Sequence, residues 1–440
     1  MPLDILIVGG GVCGPALATL LLRADPRRYT ITVVERYAEL RTGGQQIDIR
    51  AQGIPVMRKM GLLGAVRDVV VHERGMAFVD KAGRAKFQLT VNDTGKGQQA
   101  FTSEYEIMRG DLVRVLYDAS LAASEAARKQ GGAGVTYEFG VSVESISQIE
   151  THEKDGRRGG GVDVTFSDGR QRRFDLVVGA DGQGSRTRRQ AWGDQAGRDV
   201  FHTVHSYTAY FTVPRVEAED SDIAVVYHMP GRRMIAFRAN DRPTTQCYLF
   251  CNDPGSCAEL RAATGGAHKS VDEQKQIWRD FFQDTDAWCR ERVFEGLKNT
   301  EDFYSHEAGQ VKLESYSRGR VTLLGDAGYC PSPVSGCGTT ASLVGAYVLA
   351  GELARHTDDD VQGALEDYDR VLRPFVGEIQ KLPPGAPKIG APQTAWGIWF
   401  FHLVGWLITS LKIDKLVLSL MPEDKGGWAL PSYPELKLAE

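Results

Sequence analysis

Apolar and polar positions at the start of the chain change from a strand-like to a helix-like pattern and back. A short apolar run at residues 3–8 (LDILIV) leads into four glycines within residues 9–14, and a helical pattern then continues to Arg23. A second β-rich run from Tyr29 to Val34 ends at Glu35. This order of strand, glycine turn, helix and strand predicts a βαβ unit that is complete by residue 36.

The next part of the chain is dominated by short alternating segments. The pattern predicts a hairpin over residues 75–90, a helix over 111–127, and a β-meander over 135–178 with a polar interruption at 152–161. The meander ends in a strand that is apolar throughout, Leu176 to Val178. Continuous apolar strands are typical of a sheet buried on both faces.

A second group of strands follows in residues 204–251, and a mixed helical segment then extends to about residue 300. Alternating apolar and polar positions in these strands predict an antiparallel sheet that covers a pocket. A new buried strand begins at Arg320 and leads through a loop rich in Pro and Gly into a helix of small residues, Gly338 to Ala354. The remaining chain is predicted to be helical, apart from a linker at 382–387.

One apolar stretch near the end, residues 396–411 (WGIWFFHLVGWLITSL), is too short for a comfortable membrane span. Its simplest interpretation is a helix buried against the body of the protein. A helix lying in the membrane interface with a belt of Trp residues is the alternative, because Trp is enriched at such interfaces.

Composition narrows the class of protein. A chain of 440 residues with 42% apolar and 25% charged residues is an ordinary folded protein with two or three domains. The net charge of −5 argues against a nucleic-acid partner. Seven cysteines without a C-x-x-C pair favour a reducing compartment, so a cytoplasmic location is expected. Glycine is more frequent than in an average protein, with 49 residues, which indicates many tight turns or close backbone approaches.

The first glycine cluster has the pattern G-x-G-x-x-G, formed by Gly9, Gly11 and Gly14. It follows a strand and begins a helix, and an acidic residue stands at the end of the next strand. This arrangement seats a pyrophosphate on helix N–H groups and a ribose on a carboxylate. We therefore predict a dinucleotide site in which Glu35 accepts from the adenosine ribose, with Arg36 as a further cofactor contact.

A second motif lies about 290 residues downstream, in GRVTLLGDAGYCPSPVSGCGTT (319–340). A buried strand, Asp326, a Pro-rich loop and a helix beginning at Gly338 resemble the second FAD fingerprint of the group A flavoprotein monooxygenases, the para-hydroxybenzoate hydroxylase-like family. The resemblance implies that Asp326 binds the ribityl chain and that the helix points its positive N-terminal end at the flavin pyrimidine. One departure is that Gly328-Tyr329 stands where the family usually has Ala-His.

Three smaller motifs resemble the same family. Asp181 opens D-G-x-x-S-x-x-R, which is associated there with FAD and the nicotinamide donor, and Arg109 opens a helix as the flavin-contacting Arg does. The segment from Arg41 to Asp48 is similar to one in tetracycline-inactivating members, which implies that Arg41 lies near the nicotinamide and that Asp48 contacts FAD.

The resemblance also implies a reaction. NAD(P)H, bound transiently because no separate nicotinamide domain is visible, would reduce FAD. Reduced flavin and O₂ would then form a C4a-hydroperoxide that hydroxylates an aromatic or polyketide-like small molecule. A phenolic substrate would need a base near the pocket, for which His205, Tyr210 and His228 on the predicted strands are weak candidates. The alternatives are a dehydrogenase, reductase or halogenase on the same fold, and a non-catalytic redox sensor.

The FAD motifs enclose the antiparallel sheet in the sequence, so the domains are expected to be interleaved. The expected fold is α/β: a Rossmann-like FAD-binding domain with an inserted antiparallel-sheet substrate domain and a C-terminal helical segment. Oligomeric state is left open between monomer and homodimer, and peripheral membrane contact is considered for residues 394–420. The predicted boundaries place the FAD-binding domain at 1–72, 101–182 and 304–385, the substrate domain at 73–100 and 183–303, and the tail at 386–440.

Overall fold

The computed structural model describes residues 2–41, 43–90, 105–149, 160–239, 242–252, 258–264, 269–383, 385–413 and 427–438. Its strands, in chain order, are β1 (Leu3–Val8), β2 (Tyr29–Glu35), β3 (Gln46–Asp48), β4 (Gly75–Val79), β5 (Ala85–Thr90), β6 (Glu106–Met108), β7 (Gly134–Phe139), β8 (Val143–Ile149), β9 (Gly161–Phe166), β10 (Gln171–Phe174), β11 (Leu176–Gly179), β12 (Phe201–Pro214), β13 (Ile223–Met229), β14 (Arg233–Ala239), β15 (Thr244–Cys251), β16 (Tyr304–Val311), β17 (Ser317–Arg318) and β18 (Val321–Leu323).

The helices connect and cover these strands. They are α1 (Cys13–Ala24), α2 (Gly53–Lys59), α3 (Leu63–Arg67), α4 (Arg109–Lys129), α5 (Arg186–Trp192), α6 (Asp194–Asp199), α7 (Ala258–Thr264), α8 (Val271–Phe281), α9 (Arg290–Asn299), α10 (Asp326–Tyr329), α11 (Gly338–Arg355), α12 (Val361–Ile379) and α13 (Ala395–Ser410), with 3₁₀ turns at Pro333–Ser335 and Pro434–Leu436. Most of the polar interruption predicted at 152–161 lies outside the described residues.

A six-stranded sheet with the order β17-β18-β11-β1-β2-β7 forms the first layer. Strand β1 pairs in parallel with β11 on one side and β2 on the other, and β11 pairs in parallel with β18. Helices α1, α4 and α11 pack on one face of this sheet, and β8 to β10 contribute to the apolar cluster on the other. Parallel pairing brings the carboxyl ends of β1, β11 and β18 to one edge, where a ligand site is expected in such sheets.

A seven-stranded sheet with the order β16-β12-β15-β14-β13-β4-β5 forms the second layer. Side chains alternate between its faces, as they must in extended backbone. On one face Tyr207 and Phe211 pack with Trp278 and Phe282 of the α7–α9 segment. On the other face a separate aromatic cluster includes Tyr210, Tyr248, Phe78 and Phe87. The predicted α/β fold, with a parallel Rossmann-like sheet and an antiparallel substrate sheet, is confirmed.

A buried ion-pair network joins the two layers. The Arg238 guanidinium on β14 donates to both carboxylate oxygens of Glu73, at 2.7 and 2.9 Å, and also to Glu106 on β6. Strand β6 pairs with β3 in a small two-stranded sheet. Since a buried cation needs anionic partners, this network fixes the β3–β6 pair against the seven-stranded sheet.

Two boundaries of the predicted domain division need correction. The division places β16 on the FAD-binding side, but this strand pairs along β12 in the seven-stranded sheet. It places α5 on the substrate side, yet Arg318 at the end of β17 donates to the carbonyl of Ala191 and Gln190 donates to carbonyls of β8. The chain instead enters the second sheet at the start of β12 and leaves it at the end of β16, and neither point has the Gly- or Pro-rich break that marks a linker in sequence.

The tail contains one long helix and then returns to the first layer. Helix α13 lies against β5, where Gly405 packs on the ring of Phe87. After residues outside the described range, Tyr433 is buried on α11 and its hydroxyl donates to Glu352 at 2.6 Å. In the described residues no helix is long and apolar enough to cross a bilayer. Six of the seven cysteines, all but Cys257, lie in the described residues and form no disulfide there.

Candidate functional site

The glycine turn after β1 is built by close backbone contacts. A Cβ on Gly9 would lie 2.4 Å from the carbonyl oxygen of Ala180, and one on Gly14 would lie 2.2 Å from the carbonyl oxygen of Gly9. Gly11 differs, because among the described residues a Cβ there would meet only the Arg109 Nη2 atom, at 3.6 Å. Gly9 and Gly14 are therefore required by the fold itself, whereas Gly11 leaves open the space in front of the turn.

Glu35, at the carboxyl end of β2, reaches back to this turn. Its Oε2 atom accepts a hydrogen bond from the Gly10 amide at 2.9 Å, and its Oε1 atom accepts from the Tyr37 amide at 3.2 Å. The carboxylate is thereby held at the edge of the glycine turn, where the sequence predicts a ribose. Arg36 points outward and stacks on the Tyr37 ring, with its guanidinium carbon 4.9 Å from the ring centre.

Asp326 follows β18 and faces the same space. Gly325 before it has φ of +66° and would place a Cβ 2.4 Å from the Cys13 sulfur, so only glycine fits this turn. The Asp326 Oδ1 atom is buried and has no hydrogen-bond partner among the described residues. It lies 3.9 Å from where a Cβ on Gly338 would be. Burial raises the pKa of Asp326, which is the expected consequence of desolvating a carboxylate.

Arg109, the first residue of α4, supplies positive charge at the centre of the site. Burial and the neighbouring Arg41 lower its pKa, while Tyr304, Asp326 and Glu35 act in the opposite direction. Within the described residues no carboxylate lies within 4 Å of its guanidinium. The side chain therefore has charge available for an anionic or polar ligand.

Asp48 and Arg50 fasten the β3 strand to the N-terminus of α11. Asp48 accepts from Arg50 Nη2 at 2.5 Å, and its other oxygen, Oδ1, is buried without a partner in the described residues. The Thr340 hydroxyl accepts from the Arg50 amide at 3.1 Å and donates to the Arg50 carbonyl at 2.8 Å. These contacts set Asp48 beside the helix that begins at Gly338.

Asp181 caps the helix that begins within its motif, a contact that the sequence analysis does not predict. Its carboxylate accepts from the Ser185 hydroxyl at 2.5 Å and from the amides of Arg186 and Thr187 at 2.8 and 3.0 Å. Both oxygens therefore cap the N-terminus of α5, which is the role that a helix start offers an Asp. Contact with FAD through Asp181 stays a prediction.

The hydrogen bonds of Arg188, the last residue of the same motif, explain why an arginine is present at this position. It is buried and donates to three carbonyl oxygens, those of Gln183, Gly197 and Ala327, at 2.7 to 2.9 Å. Ala327 directly follows Asp326. The motif thus links the turn after β11 to the turn that carries Asp326.

The aromatic face of the seven-stranded sheet extends toward these residues. Tyr210, His306 and Tyr304 stack, with centroids 5.6 Å apart for Tyr210 and His306 and 5.3 Å for Tyr304 and His306. The guanidinium carbon of Arg41 lies 5.1 Å from the Tyr304 ring centre. The stack therefore ends beside Arg41, at the approach to Arg109.

The weak candidates for a catalytic base are dispersed. Tyr210 lies in the stack, and burial raises its pKa, so at neutral pH its phenol is protonated and donates. His228 lies farther along the sheet beside α13, where its Nε2 atom is 2.8 Å from the Gly390 carbonyl oxygen. His205 contacts Arg261 of α7 and lies away from the other two.

His306 and Tyr304 are absent from the sequence-based candidates because the predicted division places β16 in the other domain. His306 Nδ1 is buried without a partner in the described part of the chain, and burial lowers its pKa to about 4. The imidazole is therefore neutral at pH 7 and offers a hydrogen-bond acceptor. The sequence feature that could have identified them is the alternation of Tyr304 and His306 with Ser305 and Glu307, which is typical of a strand.

The residues of this site are suited to binding FAD. The open space at Gly11 and the nearby Arg109 guanidinium suit a pyrophosphate. Two buried carboxylate oxygens, on Asp48 and Asp326, have no partner among the described residues and suit hydroxyl groups. The group would be held by Gly11, Arg109, Asp326, Asp48 and the N-terminus of α11. When bound it supplies the redox chemistry, for which no protein group is suited.

Comparisons with known proteins identify the family of the chain. The FAD binding domain family matches residues 2–381. The FAD-dependent monooxygenase asL6 of Sarocladium schorii is 41% identical over 447 residues, 99% of each chain. The flavin-dependent monooxygenase eupH of Phoma sp is 34% identical over 437 residues, 96% of each chain. The crystal structure of tetracycline destructase Tet(51) has a TM-score of 0.72 at 28% identity, over 98% of this chain and 99% of that one.

The family match covers most of the chain, and both relatives are similar along nearly their whole length. The resemblance stated from the motifs is confirmed, and binding of FAD with it. The chain therefore belongs to the FAD-binding monooxygenase family and is an FAD-dependent monooxygenase.

Proposed function

We propose that this monooxygenase uses NAD(P)H and O₂ to hydroxylate an aromatic, polyketide-like small molecule bound against the aromatic face of the seven-stranded sheet. One oxygen atom of O₂ is inserted into a C–H bond of the substrate, so that C–H becomes C–O–H in the net reaction. The other oxygen leaves as water. NAD(P)H supplies the electron pair and is oxidised to NAD(P)⁺, with one proton taken from solution.

The stack of Tyr210, His306 and Tyr304 beside Arg41 carries this proposal. Planar substrates pack well on aromatic side chains, and a face of stacked rings excludes the water that competes with oxygen transfer. The similarity to tetracycline destructase Tet(51), whose name gives a fused-ring substrate, supports the same substrate class.

Two side chains of the stack differ in what they offer a phenolic substrate. His306 is neutral at pH 7 and accepts a hydrogen bond from a substrate hydroxyl, whereas the Tyr210 phenol donates. Together they would orient a phenol and bear its proton as the ring becomes electron-rich. His228 and His205 have contacts elsewhere and are weaker choices for this role.

The cofactor contacts and the domain division form part of the proposal. FAD is held by Gly9, Gly11, Gly14, Glu35, Arg36, Asp48, Arg109, Asp181, Asp326 and Gly338. Arg41, between the rings of Tyr37 and Tyr304, is proposed to contact the nicotinamide. A discontinuous FAD-binding domain encloses the substrate domain, with β16 moved to the substrate side and α5 to the FAD side.

Isotope labelling tests the function. The yellow holoprotein is mixed with NADH or NADPH, ¹⁸O₂ and a panel of phenolic and fused-ring polyketide compounds, tetracycline included. We expect substrate-dependent oxidation of NAD(P)H and one ¹⁸O atom in the product. Flavin reduction with release of all oxygen as peroxide for every compound would contradict hydroxylation and indicate a reductase or dehydrogenase. Absence of flavin reduction would favour a redox sensor.

A further inference from the structure

Helix α13 is apolar on both of its faces, which is unusual for a helix on a protein surface. Its inner face packs on the second layer: Phe401 contacts the rings of Phe78 and His228, and Gly405 lies against Phe87. The stretch from Ala395 to Leu411 contains no charged side chain. Of its three polar side chains, His402 and Thr409 lie on the inner half and Ser410 is exposed, whereas most solvent-facing positions of surface helices are polar.

The outer face carries large apolar side chains in the open. Trp396, Trp399 and Trp406 are 68%, 58% and 51% exposed. Phe400, Leu407 and Leu411 share this face and are also exposed. At 100° per residue all six project within one sector of about 140°, so they form one continuous strip along the helix. We call these six residues the outer strip.

Charge around the outer strip is positive. Residues 382–413 include two lysines and no Asp or Glu, although the whole chain has a net charge of −5. Lys388 precedes the helix and Lys412 follows it, and both are exposed. The next two residues, Asp414 and Lys415, add no net charge and lie outside the described residues. The strip is therefore bracketed by cations that would attract an anionic surface.

We propose that the outer strip docks on the surface of an anionic phospholipid bilayer, with α13 lying in the plane of the interface. The helix has 16 residues and is about 24 Å long, which is short of the roughly 30 Å of a bilayer core. Apolar rings enter the acyl boundary while Lys388 and Lys412 meet the headgroups. This mode agrees with the absence of a spanning helix among the described residues.

The indole groups favour lipid over a second protein surface. Each indole has a broad apolar ring and one N–H donor, and the headgroup region accepts both at the same depth. A dry protein interface would have to supply an acceptor for each of three buried N–H groups. The inner face of the same helix forms part of the aromatic cluster on the substrate sheet, so docking would bring that end of the sheet next to the bilayer.

Vesicle flotation tests the proposal with the holoenzyme. Vesicles of phosphatidylcholine with about 30% phosphatidylglycerol are compared with phosphatidylcholine alone, and tryptophan fluorescence is followed in parallel. We expect flotation with the anionic vesicles and a blue shift of emission. The triple variant Trp396→Ser, Trp399→Ser, Trp406→Ser should lose at least about tenfold in vesicle partition, because each indole contributes buried apolar area.

Matched variants separate docking from general surface effects. Val271→Ser with Leu121→Ser removes exposed apolar side chains elsewhere and should leave partition unchanged. Lys388→Glu with Lys412→Glu should weaken partition into anionic vesicles about tenfold or more while retaining any affinity for neutral ones. Circular dichroism and FAD occupancy establish that each variant is folded.

Two results would overturn the proposal. One is failure of the folded wild-type protein to float with anionic vesicles, or equal flotation of the triple Trp variant. The other is sedimentation of the lipid-free protein as a dimer that the triple variant converts to a monomer. In that case a second copy of the chain, and not lipid, covers the outer strip.

Discussion

The hydroxyl groups of Tyr329 and Tyr368 lie 3.0 Å apart, and both side chains are fully buried. The Tyr368 hydroxyl is also 3.0 Å from the carbonyl oxygen of Leu323 at the end of β18. Tyr329 stands where the family resemblance expects a histidine. In this chain the position is part of the packed core below α11, where Gly345 leaves room for the Tyr329 hydroxyl.

Tyr329→Phe is therefore expected to reduce stability but not catalysis. It removes one buried hydrogen bond, worth about 1 kcal/mol, while Tyr368 keeps its bond to Leu323. Urea unfolding of the holoprotein measures the loss, and kcat should stay within about twofold of wild type because the hydroxyl touches no cofactor-facing residue. A large drop in kcat with unchanged stability would show that Tyr329 does act in the reaction.

Gly11→Ala is expected to reduce FAD binding without unfolding the protein. A methyl group there meets only Arg109 Nη2 at an ordinary contact distance, so the apoprotein tolerates it. It would occupy the space through which a pyrophosphate approaches the backbone, so FAD affinity should fall at least about tenfold. FAD titration by fluorescence quenching and thermal unfolding of the apoprotein are the measurements.

Gly184→Ala is the matched control for that variant. Gly184 lies in the D-G-x-x-S-x-x-R motif, has no described atom within 4 Å of an added Cβ and does not need a positive φ. We expect it to bind FAD as the wild type does. Equal FAD affinity in both variants would refute the placement of the pyrophosphate at Gly11.

Asp326→Asn is expected to change the pH dependence of the apoprotein. Burial raises the pKa of Asp326 in the folded state, so wild-type apoprotein loses stability as pH rises from the ordinary value of 3.8 through the folded value. The amide side chain of the variant carries no charge to desolvate. The variant should be more stable than wild type at pH 7 and equally stable below about pH 3.5, by thermal unfolding, and should bind FAD more weakly.

A pH-independent difference between these two apoproteins would contradict the assignment. So would full FAD occupancy in the variant, because an amide cannot replace both acceptor oxygens of the carboxylate. Asp194→Asn, which changes an exposed carboxylate on α6, is a suitable control and should alter neither property.

Wild-type protein is expected to lose stability between about pH 6.5 and pH 4. Burial lowers the pKa of both His306 and His228 to about 4, so protonation below the unfolded value of 6.5 favours the unfolded chain. Their contribution is fully present above pH 6.5 and disappears as pH falls. His306→Asn should flatten this dependence in thermal unfolding at about pH 7.5 and pH 5, and a steeper slope would count against it.

His306→Leu tests the substrate side of the same residue. Removing the acceptor should raise KM for phenolic substrates about tenfold while the rate of flavin reduction by NAD(P)H is retained. The comparison variant is His205→Leu, on the α7 side of the sheet, which should leave KM unchanged. An equal effect of both substitutions on KM would remove His306 from the pocket.

Local sequence patterns were sufficient to predict the βαβ unit. Gly9 and Gly14 are packed against backbone atoms, and Glu35 reaches the turn that its spacing suggested. Such features depend on residues within one supersecondary unit. The bonds of Asp181 to α5 were not predicted, because a capping carboxylate and a ligand-binding carboxylate have the same local sequence.

Long-range placement was the main limit. Tyr304 and His306 join the ring stack with Tyr210 only because β16 pairs with β12, which lies about 100 residues earlier in the sequence. Exposure of the outer strip likewise could not be predicted from the sequence. Trp399 and Phe401 are both apolar, and only the packing of α13 on β5 makes one exposed and the other a contact of Phe87. Periodicity indicates that a face is apolar but not which neighbour covers it.

The strand order β18-β11-β1 has a consequence for synthesis on the ribosome. Gly11 emerges early, but Asp326 and the start of α11 are made more than 300 residues later. A nascent chain therefore lacks Asp326 and the start of α11 long after its first fingerprint is made, and β11 must wait for β18, its outer partner. At roughly 5–20 residues per second this interval lasts on the order of 15 to 60 seconds. During that time the apolar edge of β11 has no strand partner on its β18 side and is a surface that chaperones can bind.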